Sequence, residues 1–294
     1  MLKLQDRAAP TYQGNKYLKN IIIIIITTLF AGQLSAACVE FNAAPIQGGF
    51  IWGKVAPGST VSLDGQQLDV LANGTTFMGF GRDAAKTAEL TVVGKGNSSD
   101  SCSEILQVVR RDYRVQKVEG VPAQTVHPPK EQLARIRAEA VLVREARGER
   151  IARPELINAM IAGFIWPIEG PISGVYGSQR YYNGEPGRPH YGVDVAAPSG
   201  SVVRSPGLGV VTLAEPDLFY SGGTIIVDHG YLLSSTFLHL SKVLVEVGDE
   251  LKAGDVIAEV GSTGRATGPH LDWRMNWRAA RIDPQLLAPA MPKP

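Results

Sequence analysis

The feature that most constrains this fold is a rhythm of short strand-forming runs cut by turns. From residue 164 onward, runs at 172–177, 201–204, 210–214, 224–227, 234–240, 256–260 and 270–275 are separated by Gly and Pro. Parallel strands need a crossover of a dozen or more residues, usually a helix, and no long helical stripe separates these runs. The pattern therefore predicts a mostly antiparallel sheet. A chain with 32 Gly, 19 Pro and 44% hydrophobic residues suits a turn-rich β protein.

Two stretches of this region carry the chemistry: His190-Tyr191-Gly192-Val193-Asp194 and Gly268-Pro269-His270-Leu271-Asp272. Residues i and i+2 of a strand point the same way, about 6.6 Å apart, so His270 and Asp272 can face a common centre. A straight strand would separate His190 from Asp194 by about 13 Å, too far to share one ion. The chain must bend between them, and Gly192 is expected to permit the bend and leave room beside the ligands. Imidazole and carboxylate with no thiolate nearby form the donor set expected of a zinc site.

The order His-x-x-x-Asp, then His239-Leu240-Ser241, then Gly-Pro-His-Leu-x, between residues 164 and 287, resembles the M23 family. These are the lysostaphin- or LytM-type zinc endopeptidases that cut peptidoglycan cross-links. The resemblance implies one Zn2+ per chain, with His190 and Asp194 as ligands and peptidoglycan peptides as substrate. It implies His239 and His270 as the catalytic histidines, which divide the proton transfers between them. The family's motif ends His-Leu-His, its last His a zinc ligand, and here that position is Asp272. A carboxylate is a legitimate third ligand, so Asp272 is expected to complete the set. One His with two Asp leaves Zn2+ formally neutral, which acidifies bound water less than the usual set. The alternative is a catalytically inactive LytM-like domain that binds the cell wall or activates a partner amidase. Retention of His190, Asp194, His239 and His270 favours the enzyme. No Gly-x-Ser-x-Gly occurs, against a serine hydrolase. His229, at a turn between strands, is given a structural role.

Residues 1–37 read as an export signal. Lys3, Arg7, Lys16 and Lys19 precede an apolar stretch with six consecutive isoleucines, and Ser35-Ala36-Ala37 supplies small residues for a signal peptidase. The apolar core is shorter than the ~20 residues of a spanning helix, with an uncleaved anchor as the alternative. The expected location is the periplasm or cell envelope. Cys38 and Cys102 are the two cysteines, and in an exported chain they are expected to form a disulfide. A lipoprotein reading of Cys38 fits poorly, because Ser35 stands where a large aliphatic residue is wanted. Lys+Arg 29 against Asp+Glu 28 argues against a nucleic-acid partner.

Residues 38–117 read as an all-β sandwich, with Asp64-Gly65 and Asn73-Gly74 as turns and no histidine. A binding or positioning module and a plain spacer both stay open for it. Residues 118–163 are a linker with helices. Leu133, Ile136, Ala140 and Val143 form a helical stripe over 130–147 that Gly148 can end, and Pro154 suits the first turn of a second helix. Residues 130–153 hold seven Lys/Arg against four Glu. They read as a solvated helix face, with contact to an anionic wall polymer as the alternative. Residues 164–288 complete a mainly β fold as an antiparallel-sheet domain of LytM/lysostaphin type.

Overall fold

The computed structural model describes residues 37–96, 101–121 and 127–292. Apart from Ala37, the expected export signal lies outside the described residues. The architecture is mainly β, and Ala37–Pro294 forms one compact unit.

In the first part, β1 (Glu40–Phe41), β2 (Phe50–Lys54) and β5 (Thr75–Gly79) make one antiparallel sheet, and β4 (Gln66–Gln67), β3 (Thr60–Leu63), β6 (Thr87–Val93) and β7 (Ser101–Gln107) a second. Val61, Phe77, Met78, Leu90 and Leu106 are buried in their core. The expected Cys38–Cys102 disulfide is present, with Cα atoms 5.6 Å apart. It ties the start of the first sheet to the edge strand of the second.

The chain then runs through β8 (Val115–Val118) to α1 (Leu133–Gly148), which follows a 3-10 turn at Lys130–Gln132, and α2 (Pro154–Ala162), with Pro154 in its first turn. Val143 and Ala146 of α1 pack on Leu213, Leu218 and Ile226. Leu156, Ile157 and Met160 of α2 are buried. No helix among the described residues is long and apolar enough to cross a membrane.

The second part is one large sheet. Its main path is β17 (Glu250–Leu251), β14 (Gly209–Leu218), β15 (Gly222–Asp228), β16 (Leu233–Val243), β19 (His270–Trp277), β12 (Gly192–Ala196) and β9 (Ile172–Gly174). β13 (Val202–Arg204) pairs with β18 (Val256–Val260), β18 with β16, and β20 (Ala280–Ile282) with β19. All these pairings are antiparallel, as the absence of crossover helices predicts. Beside this sheet, β10 (Gln179–Tyr182) pairs antiparallel with β11 (Glu185–Pro186) and parallel with β8.

Strand β19 shows how the sheet presents its chemistry. Leu271, Trp273, Met275 and Trp277 are buried in the core, where Phe164 and Trp166 meet Trp273 edge-on at 6.2 and 5.6 Å between centroids. The alternate residues His270, Asp272, Arg274 and Asn276 line the other face. The two parts also share apolar contacts: Phe50 meets Trp277 at 6.2 Å and Phe77 meets Tyr231 at 5.6 Å.

Candidate active site

Asp194 of β12 is the direct cross-strand partner of Asp272 of β19, and Ala196 that of His270. Both carboxylates are buried. Like charges placed directly opposite destabilise a sheet unless a cation intervenes. Two arginines do so. Arg180 of β10 donates through Nη2 to Asp194 Oδ2. Arg274, two residues beyond Asp272 on the same face, donates through Nε to both Asp272 oxygens at 3.0 and 3.1 Å and through Nη2 to Oδ2 at 2.6 Å. Burial opposes ionisation of Asp194, but His190, Arg180 and His270 outweigh it and hold the carboxyl well below its usual range. For Asp272 burial is likewise outweighed, by Arg274 and His190, and its carboxyl is also held down.

His190 lies just before β12 and leaves that strand's ladder. Its N–H donates to Ser178 O at 2.8 Å and its carbonyl accepts from Gly177 N at 2.7 Å. This turns the ring onto the carboxylates, with Nε2 2.9 Å from Asp194 Oδ1 and Nδ1 4.0 Å from Asp272 Oδ2. One ligand atom from each of His190, Asp194 and Asp272 lies within 4.8 Å of the other two. Close as they are, His190 Nδ1 and Nε2 and Asp194 Oδ1 are buried without hydrogen-bonding geometry to any partner. Each unsatisfied buried polar atom costs about 1–3 kcal/mol, so their convergence marks a place for a cation.

Gly192 plays only half of its expected part. Its φ is not among the positive ones, so no glycine-only bend is made there. A Cβ would sit 2.5 Å from Asp272 Oδ1 and 2.6 Å from Arg274 Cγ, so the position demands room.

His239 stands where β16 changes partner. Leu238 still pairs with Asp272 of β19, and Leu240 already pairs with Val260 of β18. Its φ of 64° makes the kink between them, a left-handed conformation that is costly for a non-glycine residue. The kink aims the ring at His270, 4.9 Å away between centroids. His239 Nδ1 meets Thr263 O at 2.8 Å, and His270 Nδ1 meets Gly268 O at 2.8 Å. A carbonyl only accepts, so both Nδ1 atoms carry a proton, which leaves each Nε2 as the ring atom that can exchange one. Burial pushes His239 down to about 4, with Asp272 pulling the other way, so the ring is neutral at pH 7.

These groups surround a cavity of about 250 Å3 whose walls include Gln116, Arg180, Asp194, His239 and His270. Gln116 comes from β8, and its Oε1 accepts from Arg180 Nε at 3.0 Å. All five residues expected at a site are thus neighbours. Sequence reasoning missed Arg180, Arg274 and Gln116. The signal for Arg274 was its i+2 spacing from Asp272. His229 takes the structural place expected of it, fully buried, with Nδ1 donating to Leu208 O at 2.7 Å and Nε2 accepting from Ser235 Oγ at 2.8 Å.

The model of peptidase family M23 matches residues 188–284, a span that contains all five of these residues. The chain carries a peptidase family M23 domain. Over 95 residues, 32% of this chain, it is 38% identical to the peptidoglycan DD-endopeptidase ShyA of Vibrio cholerae, of which that stretch is 22%. Over 107 residues, 36% of this chain, it is 36% identical to the DD-carboxypeptidase/endopeptidase Mpg of Neisseria meningitidis, covering 24% of that protein. The chain therefore spans about a quarter or less of these curated relatives. A crystal structure assigned to peptidase M23 from Pseudomonas aeruginosa is similar with a TM-score of 0.64 at 26% identity, over 83% of this chain and 95% of that one. That likeness extends well beyond the M23 domain. Arg180 and Gln116 lie ahead of the matched span, so this site draws on residues outside it.

Proposed function

We propose that this chain is an exported zinc metalloendopeptidase that hydrolyses peptide cross-links of bacterial peptidoglycan in the cell envelope. One observation carries the reading: buried ligand atoms of His190 and Asp194 converge with Asp272 without good hydrogen-bonding geometry, beside two histidines that share one cleft. Similarity of the M23 domain to proteins named as peptidoglycan endopeptidases supports the substrate class.

The donor set fits zinc. His190, Asp194 and Asp272 would hold it through imidazole nitrogen and carboxylate oxygen. Bound there, the ion would polarise the scissile carbonyl and acidify a water molecule. Arg274 answers the charge problem posed by Asp272. The Asp272–Arg274 pair is neutral as a unit, as an imidazole would be, so Asp272 adds no net negative charge.

The remaining work belongs to the histidines. Each has its Nδ1–H fixed by a backbone carbonyl, which leaves Nε2 for proton exchange. One takes a proton from the attacking water, and the other holds the oxyanion or protonates the leaving amine. Arg180 fixes the orientation of Asp194, and Gln116 steadies Arg180.

A second reading has one observation in its favour. Both oxygens of Asp272 are already engaged by Arg274, which suits a metal-free domain that binds the wall or activates an amidase. Digestion decides between them. Zinc-loaded protein incubated with purified peptidoglycan should release fragments carrying new amine and carboxylate ends, read by mass spectrometry. Protein that sediments with the wall, or stimulates an added amidase, and makes no new ends would support the second reading.

A further inference from the structure

Helix α1 turns one charge inward. Sequence reasoning gave its basic residues a solvated face, yet Arg147 lies against the sheet. Its Nη2 donates to Thr236 Oγ1 at 3.3 Å, and its Nε is buried without a partner. Among the described residues no carboxylate pairs with it. Burial, together with the nearby Arg281 and Arg274 guanidiniums, pulls it down to about 9. A half-buried guanidinium whose Nε is shut away from water and unpaired opposes folding, so its place calls for a ligand rather than a stabilising role.

Arg147 lines a cavity of about 410 Å3 together with Arg144, Arg278, Ala140, Val143 and Leu232, and no Asp or Glu lines it. Arg278 adds a second buried Nε without a partner, while its Nη2 meets Asp69 at 3.4 Å. The cavity therefore sets three guanidiniums among aliphatic carbon: Arg144 and Arg147 rise from the same helix as Ala140 and Val143, and Arg278, which also pairs with Asp69, lies beside Leu232. One strand neighbour links it to the candidate active site. Thr236, which Arg147 touches, is the cross-strand partner of Arg274, and Arg274 holds Asp272.

We propose that this cavity is a carboxylate subsite that receives an acidic side chain of the peptide substrate, some residues away from the bond that is cut. The proposal rests on the endopeptidase reading for the identity of the peptide. The planar fork of a guanidinium matches a carboxylate. The aliphatic wall of Ala140, Val143 and Leu232 suits the methylene stem that carries one, whereas a bare inorganic anion would leave that wall unfilled.

Calorimetry on the full chain tests it, with N-acetyl-Ala-Glu-Lys-amide, its glutamate methyl ester and inorganic phosphate as separate probes. The acid should bind about tenfold or more tighter than the ester, because the ester lacks the charged partner. Arg147→Gln should erase that difference, and Arg147→Lys should restore only part of it. Arg147→Met should raise Tm, since it removes a half-buried charge whose Nε has no partner, and should leave the metal content unchanged. Equal binding of acid and ester, phosphate binding as tight as the acid, or a lower Tm for Arg147→Met with binding intact would each overturn the subsite. Preference for the acid by a zinc-loaded protein that cuts no peptidoglycan would sustain the subsite and sink the endopeptidase reading instead.

Discussion

Arg274 holds both oxygens of Asp272, the carboxylate that faces Asp194 across the β12–β19 ladder. The pair lets an aspartate stand where the M23 motif has a histidine without adding net negative charge at that position. It also makes the metal-free form dependent on arginine. Arg274→Gln would leave Asp272 buried and unpaired, which costs about 3–5 kcal/mol. Urea denaturation in chelator should find the variant less stable by that order. Added zinc should recover more stability in the variant than in the wild type, because zinc becomes the main cation beside Asp272. Equal stability of the two proteins in chelator would count against the pairing.

His239→Ala and His270→Ala should keep their zinc and lose cleavage by about 100-fold or more, since both rings adjoin the candidate metal ligands through the cleft and are held by backbone carbonyls. Metal content and the rate of cross-link cleavage are measured on the same preparations. A folded variant that had lost its metal would show that its histidine is a ligand.

How much of this was legible in the sequence depends on the residue. The strand runs of the large sheet were visible because apolar residues and turn residues alternate there. Strand β10, Gln-Arg-Tyr-Tyr, was not, because it has no aliphatic residue and its partner β8 lies 64 residues earlier in the register Gln179–Val115. Strand β12 was hidden for another reason: it begins with Gly192 and places a buried Asp194 in mid-strand, against strand propensity. The five site residues were legible through their spacing and order. Arg180 and Gln116 were not, since their approach to Asp194 exists only after β8 and β10 have paired. Arg147 looked like one more solvent-facing charge on a basic helix, although it stands four residues past Val143, in line with the stripe that faces the sheet.

Asp228 supplies a pH test away from the site. Burial pushes its carboxyl up to about 7, although the Gly230 N–H donates to Oδ1 at 2.7 Å. The folded protein therefore holds a proton that the unfolded chain releases near pH 4. This contribution to stability is complete below about pH 4 and is lost as pH rises through about 7. Urea midpoints of wild type and Asp228→Asn, followed from pH 5 to 8, should diverge in favour of the variant as pH rises. Taking the difference cancels His229, whose pKa burial lowers to about 4 in both proteins. Parallel curves would show that Asp228 is already ionised in the fold.

The disulfide closes a span of 64 residues. Loop entropy makes it worth roughly 4 kcal/mol. Thiol titration of denatured, unreduced protein should find no free sulfhydryl, and reduction should lower Tm by several degrees. Two reactive thiols in the purified protein would contradict the pairing.

The account turns on whether Asp272 is a metal ligand, and metal content tests that most directly. Wild type and Asp272→Ala, purified side by side and equilibrated with equal zinc at neutral pH, are assayed by elemental mass spectrometry. The account predicts one zinc per chain in the wild type and almost none in the variant, since His190 and Asp194 alone give two protein ligands. A wild type that holds no divalent ion, or a variant that keeps its zinc in full, would contradict it.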